Sequence, residues 1–99
     1  MPRSTINPAE VMQVTNLLAE NNNQFRARVE DLMNTAQELA TMWQGEANNT
    51  FNAALATDQE RWAAFASLVD TYVETLREIV RQYQSAESDN VEIAAHRTY

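Results

Sequence analysis

The 99-residue sequence contains no cysteine and no lysine, a single glycine (Gly45) and only two prolines. Without cysteine, neither a disulfide framework nor a thiolate metal site can hold the fold together. The scarcity of glycine and proline leaves few turns, whereas the many alanine, glutamate, glutamine, leucine and arginine residues favour helices. We therefore expect one small domain built from a few long helices.

Basic residues are scarce as well. Seven arginines stand against fourteen acidic residues, and the formal net charge is −7. Such a surface repels phosphate backbones and anionic lipid head groups, which argues against nucleic acid or a charged membrane as a partner. No run approaches the roughly 20 apolar residues that span a bilayer, so stable membrane insertion is not expected. Residues 1–10 lack the apolar segment of a cleaved signal peptide.

Residues suited to catalysis or metal binding do not occur in useful combinations. His96 is the only histidine, and Glu92, four residues before it, would add only one further ligand. The sequence has no glycine-rich phosphate loop, no nucleophile elbow and no Cys–His pair. We predict a protein that is not an enzyme and binds no cofactor and no metal.

A first apolar stripe predicts a helix over about residues 8–42. Asn7 is expected to be its N-cap, with Pro8 at the first helical position and Glu10 placed to reach back to the cap. The stripe consists of Val11, Val14, Leu18, Phe25, Val29, Leu32, Ala36, Leu39 and Trp43. Asn22 interrupts it, and we interpret this residue as a polar seam or slight bend rather than a binding site.

A second stripe predicts a helix over about residues 47–86. Gly45 adopts positive φ without penalty, so we place a chain reversal at residues 43–45. The second stripe consists of Phe51, Leu55, Trp62, Phe65, Val69, Tyr72, Leu76, Ile79 and Tyr83, and it is broken only by Asp58. Residues 1–87 then form an all-α antiparallel hairpin, and the small polar residues after Ser85 predict a flexible tail over residues 88–99.

Both stripes are too broad to be buried by a single helix–helix seam. We therefore expect two hairpins to pair into a four-helix bundle, and the alternative is a two-helix monomer with an exposed groove. The predicted core and dimer interface consists of Leu18, Phe25, Val29, Leu32, Leu39, Phe51, Leu55, Trp62, Phe65, Val69, Tyr72 and Leu76. The completeness of the stripes favours a homodimer over a heterodimer.

The central turn carries a recognisable motif. Trp43-Gln44-Gly45 is a W-x-G sequence between two amphipathic helices, with Ala47 two residues and Phe51 six residues after the glycine. In this context it resembles the WXG family of small secreted proteins, the early-secretory-antigen-like substrates of type VII secretion. The resemblance implies an antiparallel hairpin that forms a dimer with itself or with a paralogous chain of the family.

Near the end of the second helix, Tyr83-Gln84-Ser85-Ala86-Glu87 is similar to the family's Y-x-x-x-D/E export signal. The spacing of four places Tyr83 and Glu87 on one helical face. The resemblance implies synthesis in the cytoplasm and export by the type VII membrane ATPase without a cleaved leader. If two hairpins pair antiparallel, the partner's W-x-G turn lies alongside this chain's Tyr83 and Glu87, and dimerisation assembles a two-part signal.

Other functions stay open at this point. The chain could be a chaperone-like partner for a larger secreted toxin or a cytosolic helical interaction bundle. A membrane-disrupting effector is disfavoured by low hydrophobicity and negative charge. Val91, Ala95 and Tyr99 share a helical face of the tail and could dock on the ATPase, or the tail could be a disordered terminus.

Overall fold

The computed structural model describes the backbone of residues 6–96 and the side chains of residues 6–90. Its two helices, α1 (Pro8–Met42) and α2 (Glu46–His96), pack side by side along their length. The predicted all-helical hairpin is thus confirmed. The molecule measures 84 × 22 × 19 Å, which makes it a rod about as long as α2. Within the described range, neither helix is apolar enough along a sufficient length to span a bilayer.

The first turn of α1 is closed by the predicted cap. The Oδ1 atom of Asn7 accepts hydrogen bonds from the backbone amides of Ala9 at 3.1 Å and Glu10 at 3.2 Å. These amides belong to the first turn, where no carbonyl of the helix is available to them. Pro8 at the first position has no N–H to satisfy. Local chemistry alone therefore defines where α1 begins.

The reversal between the helices depends on one glycine. Trp43 ends α1 in an extended conformation (φ −138°, ψ 116°), and Gly45 follows with φ +117°. The Gly45 carbonyl accepts a bond from the Asn49 amide at 3.2 Å, so this glycine starts α2 rather than terminating α1. A Cβ at Gly45 would meet nothing within 4 Å, and it is therefore the backbone angle that requires glycine here.

Helix α2 continues to His96, ten residues beyond the predicted end near residue 86. The segment after Ser85 is small and polar, but it contains neither glycine nor proline, so the backbone ladder is not interrupted. Residues 88–96 therefore belong to α2 rather than to a separate tail. The backbone of residues 97–99 and the side chains of residues 91–99, which carry the predicted docking face and His96, lie outside the described residues.

The seam between α1 and α2 is lined by small and β-branched residues. Its buried apolar side chains are Ala36, Ala66, Val69, Val73 and Val80. Thr15 and Asn22 are also buried, and the Thr15 hydroxyl donates to the Val11 carbonyl at 2.7 Å. Small side chains allow the two helices to approach closely. The helices therefore pack along the edge of each apolar stripe where these small residues lie, and not along its centre.

The predicted core and interface residues consequently fall into three groups. Val69 is buried. Seven are half-buried, namely Leu18, Phe25, Val29, Phe51, Leu55, Trp62 and Leu76. Four are exposed, namely Leu32, Leu39, Phe65 and Tyr72. The exposed group lies to one side of the seam because each stripe is wider than the contact that a single helix can cover.

Candidate functional site

Two consecutive residues of α1 contact α2 on opposite sides of the seam. The Phe25 ring lies 5.5 Å from the Phe65 ring, centroid to centroid, with the planes at 71° in an edge-to-face arrangement. Arg26 forms an ion pair with Asp70, with Nη2 and Oδ2 2.7 Å apart. Consecutive residues of a helix point about 100° apart. The seam therefore has an aromatic side at Phe25 and a polar side at Arg26.

The aromatic side extends into a long apolar surface. On α1, Val14 and Leu39 stand in line with Phe25 because the intervals of 11 and 14 residues are close to three and four whole turns. Since the rings of Phe25 and Phe65 touch, this line of α1 side chains adjoins the line of α2 side chains that contains Phe65. Eight side chains on the two lines are 44% to 65% exposed, namely Val14, Leu17, Leu32, Leu39, Phe65, Leu68, Tyr72 and Ile79. We call these eight residues the apolar face.

The polar side of the seam is a closed hydrogen-bonded cluster. Asn22, which is 4% exposed, donates from Nδ2 to the Ala66 carbonyl and to Asp70 Oδ1, both at 2.9 Å. Arg26 adds a second bond to Asp70, from Nη1 to Oδ1 at 3.2 Å. The hydrogen bonds from Arg26 hold the pKa of Asp70 below its usual value, and those to Asp70 raise the pKa of Arg26. Asn22 is thus a buried polar residue whose hydrogen bonds join α1 to α2 within one hairpin.

The W-x-G turn forms one end of the rod. Trp43 is half-buried, and its ring lies 5.8 Å from the ring of Phe51 with the planes tilted by 37°. Phe51 stands six residues after Gly45, so the first turns of α2 bring its ring back over the tryptophan. Met42, beside Trp43, is 81% exposed. This end therefore presents an apolar tip whose tryptophan is held in place by α2.

The candidate export signal lies at the opposite end. Arg77 Nη2 donates to Asn16 Oδ1 at 3.3 Å, so these two residues mark one level of the antiparallel pair. Pro8 precedes Asn16 by eight residues, and residue 85 follows Arg77 by eight residues. Because the two helices run antiparallel, the start of α1 lies level with residue 85. Tyr83 is half-buried just before this level, and Glu87 is exposed just beyond it. From here α2 extends without α1 beside it.

The distance between the two motifs excludes a contact within one chain. Trp43 and Tyr83 are 40 residues apart in sequence. At 1.5 Å per residue, the intervening length of α2 corresponds to roughly 60 Å. A single hairpin therefore keeps its turn and its Tyr83–Glu87 pair at separate ends, and only a second molecule can bring such motifs together.

Nothing in the described part of the chain resembles a reaction centre. Among these residues, no three histidine, cysteine, aspartate or glutamate side chains are grouped to hold a metal ion. Every buried side-chain nitrogen or oxygen described has a hydrogen-bond partner. Unsatisfied polar groups, which often mark catalytic or ligand sites, are thus not found in this region. The features that stand out are surfaces: the apolar face, the tryptophan tip and the end of α2.

Comparison with known protein families gives a match that covers most of the chain. The profile of the WXG100 family, described as proteins of 100 residues with WXG, matches residues 5–88. The matched range includes all of α1, the W-x-G turn and α2 as far as residue 88, with the Tyr83–Glu87 pair. The comparison with curated proteins found no match. WXG100 proteins are small, helical and non-enzymatic, and the family is associated with small substrates of type VII secretion. Because the match covers far more than half of the sequence, this chain belongs to the WXG100 family.

Proposed function

We propose that this protein is a secreted substrate of a bacterial type VII (ESX-like) secretion system that acts as a dimeric protein–protein interaction module and has no enzymatic activity. Membership of the WXG100 family supports the secretion route. The apolar face supports the interaction role, because the hairpin leaves these eight side chains 44% to 65% exposed along most of its length. This face is the observation on which the proposal depends.

The apolar face makes an isolated hairpin unfavourable in water. Complete burial of a large apolar side chain contributes about 1.5–3 kcal/mol, so eight half-exposed residues leave roughly 6–12 kcal/mol unrealised. That amount is comparable to the stability of a whole small domain. A second hairpin laid against the face buries both lines and completes a four-helix bundle. The partner is a hairpin of the same family, either a second copy of this chain or a paralogous chain.

In the proposed dimer, Tyr83 and Glu87 form the export signal that the type VII ATPase reads. Two features support this role: the pair is one helical turn apart, and it lies where α2 extends past the start of α1. When the partner hairpin packs antiparallel, its Trp43 comes to this end and completes a two-part signal. The contact with Phe51 keeps Trp43 in a defined orientation for that purpose.

A secretion assay tests the signal. We expect Tyr83→Ala and Glu87→Gln to remain in the cell pellet while the wild-type protein reaches the medium. Gln84→Ala and Ser85→Ala are matched controls, since both residues are exposed on the same segment between the two signal residues. The variants should keep the helical circular dichroism of the wild type. Normal secretion of both signal variants would contradict the proposed role.

Light scattering after size-exclusion chromatography tests the dimer. The purified chain, alone or with its paralogue, should elute as a folded species of twice the mass of one hairpin. The interaction role would be contradicted if the hairpin is folded and monomeric, binds no hydrophobic dye, and stays monomeric when it is mixed with other members of the family.

A further inference from the structure

We propose that a cavity on the polar side of the seam binds a small uncharged aromatic compound, namely a single ring that carries one hydroxyl or carbonyl group. The cavity has a volume of about 200 Å³ and lies between α1 and α2. None of the residues that line it belongs to the apolar face. This inference therefore goes beyond the proposed function and does not depend on the dimer.

The cavity follows the same side of α2 as the hydrogen-bonded cluster. Ala63 and Ser67, which line it, precede Asp70 by seven and three residues, close to two turns and one turn of the helix. Phe65 of the apolar face follows Ala63 by two residues and therefore points about 160° away around α2. A molecule bound in the cavity would leave the apolar face uncovered.

The space exists because the side chains of α2 are small here and the long side chain of α1 reaches elsewhere. Three of the lining residues of α2 are Ala63, Ala66 and Ser67. The opposing Arg26 extends to Asp70, with Nη2 and Oδ2 2.7 Å apart, and so it does not cover Ala63. An empty space of this kind forfeits van der Waals contacts, which a ligand of matching size would restore.

The apolar walls fit one aromatic ring. They are formed by Phe25, Val29, Trp62, Ala63 and Ala66. Aromatic rings pack against other rings with a preference beyond simple burial, so Phe25 and Trp62 favour a flat aromatic ligand. An apolar cavity of about 150 Å³ in another protein holds benzene. At about 200 Å³, this cavity has room for a single ring with a small substituent.

The polar residues that line the cavity favour an uncharged substituent with an oxygen atom. Arg26 donates one hydrogen bond from each Nη atom to Asp70, so further N–H groups of its guanidinium can donate to a ligand. The Gln59 amide and the Ser67 hydroxyl can donate as well as accept. Asp70 already neutralises Arg26, and the chain has a net charge of −7, which disfavours an anionic ligand.

A titration with p-cresol, a single ring with a hydroxyl group, tests the site by NMR. The indole N–H signal of Trp62 should shift, with a Kd below about 1 mM. The signal of Trp43, assigned with the variant Trp43→Phe, should stay in place, because the stretch of α2 from residue 46 to residue 62 spans roughly 24 Å. p-Toluate, which has a carboxylate in place of the hydroxyl group, should bind at least about tenfold more weakly.

A cavity-filling variant and a matched control locate the binding. Ala63→Leu should abolish the shift of Trp62, whereas Ala64→Leu should keep the wild-type Kd, because the exposed Ala64 is not among the residues that line the cavity. Ser67→Leu is a second filling variant, and circular dichroism checks that each variant is folded. The proposal is overturned if the Trp62 signal does not shift, if both tryptophan signals shift alike, or if the folded filling variants bind p-cresol as the wild type does. Equal or tighter binding of p-toluate would overturn the preference for an uncharged ligand.

Discussion

The two sides of the helix–helix seam join the same pair of helices by different chemistry. On the polar side, Asn22, Arg26 and Asp70 satisfy one another's hydrogen bonds within the chain. On the aromatic side, the rings of Phe25 and Phe65 touch, but Phe65 stays 54% exposed. The other residues of the apolar face are exposed to a similar degree. The polar side has its hydrogen bonds satisfied within one hairpin, whereas the aromatic side leaves large apolar side chains exposed.

This difference shows how a two-helix protein divides its tasks. Hydrogen bonds and ion pairs are directional, so the Asn22–Asp70 cluster specifies how α1 and α2 are aligned. Apolar burial is non-directional and proportional to area, so the other side can hold a partner with a long contact surface. The following substitutions, from the largest expected effect to the smallest, separate the two tasks.

Leu68→Asp should abolish the dimer without unfolding the hairpin. Leu68 is 47% exposed in the single chain, so an aspartate there remains hydrated, whereas in the dimer it would be buried among apolar side chains. We expect the dimer Kd to rise by at least about 100-fold, measured by sedimentation equilibrium. Ser67→Asp adds the same charge about 100° away around α2 and should leave the Kd nearly unchanged. An equal effect of both variants would mean that the apolar face is not the interface.

Asn22→Ala should destabilise the fold without removing the interface. The substitution deletes the buried donor of both the Ala66 carbonyl and Asp70, which should lower the free energy of unfolding by about 1–3 kcal/mol. Urea unfolding at one fixed protein concentration measures this change. Asn23→Ala is the matched control, because this neighbouring asparagine is exposed and gains the same helix propensity. If the two variants unfold alike, the polar cluster does not stabilise the hairpin.

Acid should weaken the polar side specifically, by a smaller amount. The pKa of Asp70 is lowered by Arg26, so the pair contributes stability above the ordinary carboxyl value of 3.8 and loses it as pH falls through the folded pKa. Both side chains are about half exposed, which limits the effect. Thermal melts of wild type and Asp70→Asn should differ at pH 7 and converge towards pH 2. A difference that stays constant over this range would contradict the assignment.

How far the sequence predicts each feature depends on how far apart the interacting residues are. The cap at Asn7 involves amides two and three residues away, and the predicted N-cap is confirmed. The partners of Asn22 lie 44 and 48 residues further along the chain, so in the sequence this residue is only an interruption of a stripe.

The sequence by itself determined that this chain forms two amphipathic helices reversed at a glycine and that it belongs to the WXG100 family, because propensity, capping and the W-x-G motif are local properties. Only the tertiary structure decided which edge of each broad stripe is buried. Close approach of the helices requires small side chains such as Ala36 and Ala66 at the seam. The larger residues, Phe65 and Tyr72 among them, are displaced to one side, where they form the face that a partner can cover.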